Sequence, residues 1–121
     1  MSAYPTDLVI PCFNEATRLP TDEFRCFLTA QASAHTRLWF VNDGSTDGTG
    51  AVLETLRAEF PERVRVVTLA RNAGKAEAVR QGVRAALTGG GAEFLGFLDA
   101  DLATPRTELR FLAAVLAPHP G

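Results

Sequence analysis

Four short apolar runs, separated by longer segments with the period of a helix, most constrain how this chain of 121 residues can fold. The runs occupy residues 7–10, 38–41, 64–69 and 93–98. The first, second and fourth are almost continuously apolar, which is typical of strands that are buried on both faces of a sheet. Short apolar strands that alternate with helical segments indicate a parallel sheet covered by helices.

The segments after the runs predict helices. The first is expected from about Thr21 to Ala34, because Asp22 and Glu23 suit a helix N-terminus and phenylalanines recur at helical spacing. The other helices are expected over residues 51–60, 76–87 and 105–116. Together these elements predict the fold class as α/β, an open, mainly parallel, Rossmann-like sheet of about four strands with helices on both faces.

Composition narrows the class of protein. With 46% apolar and 21% charged residues, the whole chain, 1–121, is expected to form a single domain. A net charge of -2 provides no basic surface for nucleic acid.

There is no apolar stretch of roughly 20 residues that could span a bilayer, and the N-terminus lacks the pattern of a signal peptide. We expect a cytoplasmic protein in which Cys12 and Cys26 are free, partly buried thiols.

Polar residues follow each of the four runs. The carboxyl ends of parallel strands lie on one edge of the sheet, and ligands bind where the strand order reverses. We therefore expect four polar segments to meet in one cleft, namely residues 11–15, 42–48, 71–75 and 99–101.

The strongest signal in these segments is the pair of carboxylates Asp99 and Asp101, directly after the run FLGFL. Acidic groups gathered at a strand end repel one another unless a cation neutralises them. Carboxylate oxygens suit Mg²⁺ or Mn²⁺ bridging to phosphate. The pair predicts a divalent cation beside a nucleotide diphosphate, and the alternative is a solvated loop at the strand end.

The segment after the second run allows two interpretations. Asp43 can accept hydrogen bonds from a base or a ribose, and Gly44 permits a sharp turn. Ser45, Thr46 and Asp47 are good helix-capping residues, so the segment can also be a turn with a cap. We expect ligand contact for Asp43 and capping for the other three.

Two further segments supply weaker candidates. Lys75 follows Asn72 and Gly74 at the opening of the third helix, where free N–H groups and the helix dipole attract an anion such as a diphosphate. A glycine and a lysine are common at helix starts, so this pattern alone is not specific. Glu15, after the first run, is the candidate to meet a nucleotide, or else it begins a helix after a turn.

Four segments taken together resemble a known family. VIPCFNEATRLP, VNDGSTDGTG, RNAGKAEAVRQG and LDADLATP are similar to the successive signatures of the family 2 inverting glycosyltransferases with the GT-A fold. The resemblance covers nearly the whole chain and is greatest to polyprenyl-phosphate sugar transferases of the dolichyl-phosphate glucosyltransferase type. It implies the nucleotide-binding half of a GT-A fold, a UDP-glucose-like donor, inversion, and a polyprenyl phosphate as acceptor.

The resemblance also implies roles for individual residues. Pro11, Phe13 and Glu15 would line the pocket of the base, with Phe13 where the family often has tyrosine. Asp43 would contact the base or the ribose, and Lys75 would lie beside the nucleotide. These five residues are the expected donor-binding residues of the first three segments.

The fourth segment would complete the donor site. By the same resemblance, Asp99 would hold the ribose or a metal-bound water, and Asp101 would bind the divalent cation, Mg²⁺ or Mn²⁺. Two positions depart from the family. Asn42 stands where Asp is frequent, and Ala103 stands where mannosyl-phosphate relatives often have glutamine, which weakens a GDP-mannose assignment.

The chain ends at Gly121, one expected helix beyond Asp101, and the acceptor half of the family has no counterpart in it. We therefore expect a donor-binding part, truncated before the acceptor half, in which no catalytic residue is identified. A lipid acceptor would associate the full-length protein with a membrane. The alternative is a non-catalytic module that binds nucleotides or forms a homodimer through an exposed apolar patch.

Overall fold

The computed structural model describes residues 6–30, 35–89, 94–98 and 100. Strands and helices alternate along these residues, as the apolar runs predict. In chain order they are β1 (Thr6–Cys12), α1 (Thr21–Thr29), β2 (Thr36–Asp43), α2 (Thr49–Glu59), β3 (Val64–Leu69), α3 (Lys75–Gly89) and β4 (Phe94–Phe97). The helix expected over 105–116 lies outside the described residues.

The four strands form a parallel sheet in the order β3-β2-β1-β4. The chain first moves outward from β1 to β3, and then returns to place β4 on the other side of β1. The strand order therefore reverses between β1 and β4, and a ligand crevice is expected at the carboxyl ends of these strands. The predicted parallel α/β sheet is confirmed.

Helices cover both faces of the sheet, because successive side chains of a strand point to opposite faces. Leu8 and Ile10 of β1 pack in one cluster with residues of α1 and α2. Val9, between them, packs in a second cluster with residues of α3. In the first cluster the rings of Phe24 and Phe40 meet edge to face, with centroids 5.1 Å apart.

Helix α3 approaches the sheet closely at Gly82. A Cβ atom at this position would lie 2.4 Å from Cγ1 of Val9 and 2.7 Å from Cγ2 of Val41. Glycine is therefore required by the distance between helix and sheet. The close packing holds α3, whose first residue is Lys75, against β1 and β2.

The prediction that the first helix reaches Ala34 is wrong, because α1 ends at Thr29. Ala30 has an extended backbone, with φ -73° and ψ 134°. The guanidinium of Arg63 donates a hydrogen bond to the carbonyl of Leu28, which satisfies one of the acceptors at the helix end. A contact with a distant residue thus stabilises a helix end that the local pattern does not indicate.

The prediction that the fourth strand is buried on both faces is also wrong. Residues 94–96 are only partly buried, and the side chain of Phe97 is 53% exposed. Within the described ranges β4 pairs with β1 alone, so it forms an edge of the sheet. An apolar run does not by itself distinguish a central strand from an edge strand.

Candidate functional site

A cavity of about 400 Å³ opens at the carboxyl edge of the sheet. Its lining residues come from the carboxyl ends of β1 and β2 and from the segments that follow β1, β3 and β4. They are Pro11, Cys12, Phe13, Glu15, Arg18, Asp43, Asn72, Lys75 and Ala100. This set includes Pro11, Phe13, Glu15, Asp43 and Lys75, so the structure brings together the five expected donor-binding residues of the first three segments.

The two predicted metal ligands, Asp99 and Asp101, lie outside the described residues. Ala100, which stands between them in the sequence, is buried and lines the cavity. Across the part of the chain that the structure describes, no group of three or more His, Cys, Asp or Glu side chains could hold a metal ion. The metal prediction therefore depends on Asp99 and Asp101.

The carboxylate of Asp43 is held by the loop between β3 and α3. Its Oδ1 accepts a hydrogen bond from the amide of Ala73 at 2.8 Å. Its Oδ2 accepts from the amide of Gly74 at 3.1 Å and from Nδ2 of Asn72 at 3.0 Å. A carboxylate has about four acceptor sites, so three donors of the protein leave about one for a ligand.

Gly44 brings the loop after β2 directly onto the loop after β3. Its φ is +66°, and a Cβ atom there would lie 2.2 Å from the carbonyl carbon of Arg71 and from the nitrogen of Asn72. Both the backbone conformation and the lack of space require glycine at this position. The two loops therefore form one continuous wall of the cavity.

The loop after β2 also holds the loop after β1. The backbone amides of residues 14–16 donate, one after another, to two side chains of this loop and to that of the first residue of α2. The acceptors, in that order, are Ser45 Oγ at 3.0 Å, Thr49 Oγ1 at 2.8 Å and Asp47 Oδ2 at 3.3 Å. These hydrogen bonds fix the backbone that carries Phe13 and Glu15 into the cavity.

The prediction that Ser45 and Thr46 cap the following helix is wrong, because the N-cap of α2 is a glycine without a side-chain hydrogen bond. Both residues instead contact Asn14, whose Oδ1 accepts from the amide of Thr46 at 2.9 Å. Asp47 does accept from the first amide of the helix, that of Thr49, at 2.9 Å. Ser45 and Thr46 thus bond with Asn14 in the loop after β1, which is distant from them in sequence.

Glu15 lines the cavity, and its side chain is 15% exposed. Its Oε1 is 2.9 Å from Nη2 of Arg18, whose own side chain is 67% exposed. An ion pair this exposed contributes about 0–1 kcal/mol, so a ligand can displace Arg18 at little cost. Arg18 is a lining residue that the sequence analysis missed, although its spacing of three from Glu15 on a turn is a signal for it.

Lys75 is the first residue of α3, as predicted for an anion site at a helix opening. Its side chain is exposed and lines the cavity together with Asn72. The N-terminus of a helix carries partial positive charge, and the lysine adds a full one. Lys75 and the N-terminus of α3 thus provide positive charge at this side of the cavity, next to the carboxylate of Asp43.

The thiol of Cys12 is buried in the wall of the cavity. Burial, and to a lesser extent the negative charge of Glu15, raise its pKa to about 12. At neutral pH the thiol is therefore protonated, and only the thiolate is an effective nucleophile. Cys12 acts as part of the apolar packing and not as a reactive group.

The two free cysteines are expected to differ in their reaction with iodoacetamide. At pH 8 the native protein should take up one equivalent, at the exposed Cys26, and a second at Cys12 only after unfolding in urea. Mass spectrometry of tryptic peptides measures this directly. Rapid labelling of Cys12 in the native protein would contradict the burial that raises its pKa.

Known proteins resemble this chain in sequence and in fold. Residues 7–120 match the family described as Glycosyl transferase family 2. The chain belongs to this family. The dolichyl-phosphate beta-glucosyltransferase of Drosophila melanogaster is 38% identical over 104 residues, which are 80% of this chain and 31% of that protein. The undecaprenyl-phosphate 4-deoxy-4-formamido-L-arabinose transferase of Sodalis glossinidius is 37% identical over 112 residues, covering 91% of this chain and 33% of that protein.

Solved structures of glycosyltransferases share the fold. The mannosyltransferase PcManGT from Pyrobaculum calidifontis, in complex with GDP-Man and Mn²⁺, superposes with a TM-score of 0.72 at 24% identity, over 96% of this chain and 33% of that one. Residues 1–349 of S. aureus TarS, in complex with UDP-GlcNAc, superpose with a TM-score of 0.57 at 20% identity, over 79% of this chain and 26% of that one. The GT-A fold implied by the sequence signatures is confirmed, and the chain spans about a third of the length of the curated relatives.

Proposed function

We propose that this family 2 glycosyltransferase transfers a sugar from a nucleotide-sugar donor to a polyprenyl phosphate, and that the cavity receives the nucleotide. The observation that carries the proposal is the meeting of Pro11, Phe13, Glu15, Asp43 and Lys75 in one cavity beside the reversal of strand order. The relatives named above act on dolichyl and undecaprenyl phosphates. In this proposal residues 1–121 form the donor-binding part.

The lining residues suit the parts of a nucleotide. The ring of Phe13 is 41% exposed and, with Pro11, offers an apolar surface for a base. Glu15 and the remaining acceptor site of Asp43 accept hydrogen bonds from a base N–H or from ribose hydroxyls. Lys75 and the N-terminus of α3 attract the diphosphate.

A divalent cation, Mg²⁺ or Mn²⁺, completes the proposed site. Asp101 would bind it, and Asp99 would hold the ribose or a metal-bound water. Two carboxylates beside a diphosphate are a suitable donor set for such an ion, and the position of Ala100 in the cavity wall supports the assignment. The cation would stabilise the negative charge that develops on the leaving diphosphate.

The donor is proposed to be UDP-glucose or a similar nucleotide sugar, and the transfer to proceed with inversion, by attack on the anomeric carbon from the face opposite to the diphosphate. A lipid phosphate is already an anion, so its attack needs no general base to remove a proton. Among the described residues, none of the helices has the length and hydrophobicity of a membrane-spanning segment. We propose a cytoplasmic enzyme that meets the membrane through its lipid acceptor.

Calorimetric titration of the protein with UDP-glucose, UDP and GDP, each with and without Mn²⁺, tests the proposal. Uridine nucleotides are expected to bind in a metal-dependent way, and Asp101→Ala should weaken this binding by at least about tenfold, or about 1.4 kcal/mol. Asp22→Ala is the matched control, because Asp22 is a highly exposed carboxylate on α1 that does not line the cavity.

Two results would change the assignment. Preferential binding of GDP would replace the uridine donor with a guanosine one. Absence of binding to every nucleotide tested would contradict the donor site, and would favour the alternative of an interaction module that forms homodimers. Exposed apolar side chains such as Leu87 and Phe97 are available for that alternative, and sedimentation analysis would detect the dimer.

A further inference from the structure

We propose that Ser45, Asp47 and Thr49, here named the loop clamp, are positioning residues of the nucleotide site. This inference rests on the proposed function and deepens it. The loop clamp does not line the cavity. Its side chains instead hold the backbone between Phe13 and Ala16, and thereby set the direction in which Phe13 and Glu15 face a ligand.

The held backbone turns at Asn14, which has φ +51°. This is the left-handed region, which asparagine adopts more readily than most residues other than glycine. Contacts with the loop after β2 hold this residue from both sides. Its amide donates to Ser45 Oγ at 3.0 Å, and its Oδ1 accepts from the amide of Thr46 at 2.9 Å. Without these contacts the loop would lose the turn that places Phe13 and Glu15 in one cavity.

Thr49 is the centre of the loop clamp. It is fully buried, and its hydroxyl accepts from the amide of Glu15 at 2.8 Å while it donates to Oδ1 of Asp47. The other carboxylate oxygen of Asp47 accepts from the amide of Ala16 at 3.3 Å. These hydrogen bonds, above all the one from the Thr49 hydroxyl, lower the pKa of Asp47, so it remains ionised at neutral pH. The hydroxyl of Thr49 thus connects Glu15 to a charged acceptor.

The loop clamp is itself anchored on rigid structure. Oδ1 of Asn42, a buried residue at the end of β2, accepts from the amide of Ser45 at 3.1 Å. On the other side, Asp43 holds the loop that leads to Lys75. One strand end therefore orients both the Glu15 side and the Lys75 side of the cavity, which is the kind of support that keeps a binding site in its productive geometry.

The test compares Thr49→Val with Thr49→Ser in the same protein. Valine keeps the shape of threonine but removes the acceptor for the Glu15 amide, and we expect UDP to bind about tenfold more weakly in the presence of Mn²⁺. Thr49→Ser keeps the hydroxyl, so its affinity for UDP should remain close to that of the unsubstituted protein. Ser45→Ala, at a partly buried position, removes the acceptor of the Asn14 amide and should weaken binding severalfold even if Thr49→Val does not fold.

Val64→Ala separates positioning from general destabilisation. Val64 is buried at the start of β3 and does not line the cavity, so this variant should lose stability and keep its UDP affinity. Hydrogen exchange measured by NMR should show faster exchange of the Glu15 amide in Thr49→Val than in Val64→Ala. Unchanged UDP affinity in folded Thr49→Val and Ser45→Ala, or an equal loss in Val64→Ala, would overturn the inference.

Failure of the proposed function gives a different result. In that case the unsubstituted protein itself binds no nucleotide, and the affinity comparison cannot be made. Exchange of the Glu15 amide then decides the structural part of the inference. Selective loss of protection in Thr49→Val supports the holding of the loop, and equal protection in all variants contradicts it.

Discussion

Replacement of Gly44 by alanine is expected to lower the free energy of unfolding by about 3–5 kcal/mol and to abolish nucleotide binding. Alanine is strained at a φ of +66°, whatever space surrounds it. In addition, its Cβ would lie 2.2 Å from backbone atoms of both Arg71 and Asn72, which no change of side-chain rotamer can relieve. The loop after β3 must therefore move.

That movement also explains the expected effect on binding. The loop donates three hydrogen bonds to the carboxylate of Asp43 and leads directly into Lys75. If it shifts, the carboxylate loses its donors and Lys75 leaves its place in the cavity. A substitution outside the cavity lining is thus expected to affect two lining residues at once.

Gly74→Ala is the matched control for this prediction. Gly74 also has a positive φ, of +97°, but a Cβ atom there would have no neighbour within 4 Å. Only the strain of an alanine at positive φ applies here, so the free energy of unfolding is expected to fall by about 1–2 kcal/mol. Urea denaturation of both variants measures the difference. Equal losses would show that the close approach at Gly44 does not limit stability.

The strands were predictable because each is a short apolar run with a clear end. The third run, residues 64–69, coincides with β3. The end of α1 was not predictable, since the donor to its Leu28 carbonyl is Arg63, on a different element. The exposure of Phe97 depends on where β4 lies in the strand order, and an apolar run carries no information about that order.

The residues that line the cavity could be predicted from one physical rule, that parallel strands end at the same edge of a sheet. The rule brought residues such as Glu15, Asp43 and Lys75 together from separate segments. It could not assign their hydrogen-bond partners. Ser45 was interpreted as a helix cap because its local pattern fits one, but its hydroxyl serves Asn14, at a distance of 31 residues in sequence. Such hydrogen-bond pairings depend on the conformations of the loops that follow the strands.

A second large effect is expected at the opposite end of the sheet, where Asp7 and Arg37 form a buried ion pair. They are register partners on β1 and β2, with Nε to Oδ1 at 2.9 Å and Nη2 to Oδ2 at 3.1 Å. The Asp7 side chain is fully buried and the Arg37 side chain is 7% exposed, with its guanidinium carbon 5.5 Å from the ring centroid of Trp39. Asp7→Ala would leave the arginine charge buried without this carboxylate.

We therefore expect Asp7→Ala to lower the free energy of unfolding by about 3–5 kcal/mol. Replacement of both residues, as Asp7→Leu with Arg37→Met, should lower the free energy of unfolding much less, because the arginine charge is then removed together with the carboxylate that it contacts. Urea denaturation of the single and double variants measures the difference. If the double variant were as unstable as Asp7→Ala, the packing of these side chains, and not their charges, would account for the loss.

The same variant separates stability from binding. Asp7 lies near the amino end of β1, whereas the cavity opens at the carboxyl end of this strand, where Pro11 and Cys12 line it. At a temperature where Asp7→Ala is still folded, its Kd for UDP should equal that of the unsubstituted protein, while Gly44→Ala at equal stability should not bind. Asp7, near the amino edge of the sheet, is therefore expected to affect stability alone, whereas Gly44, at the carboxyl edge, affects both stability and affinity. A loss of affinity in folded Asp7→Ala would show that the two edges are coupled.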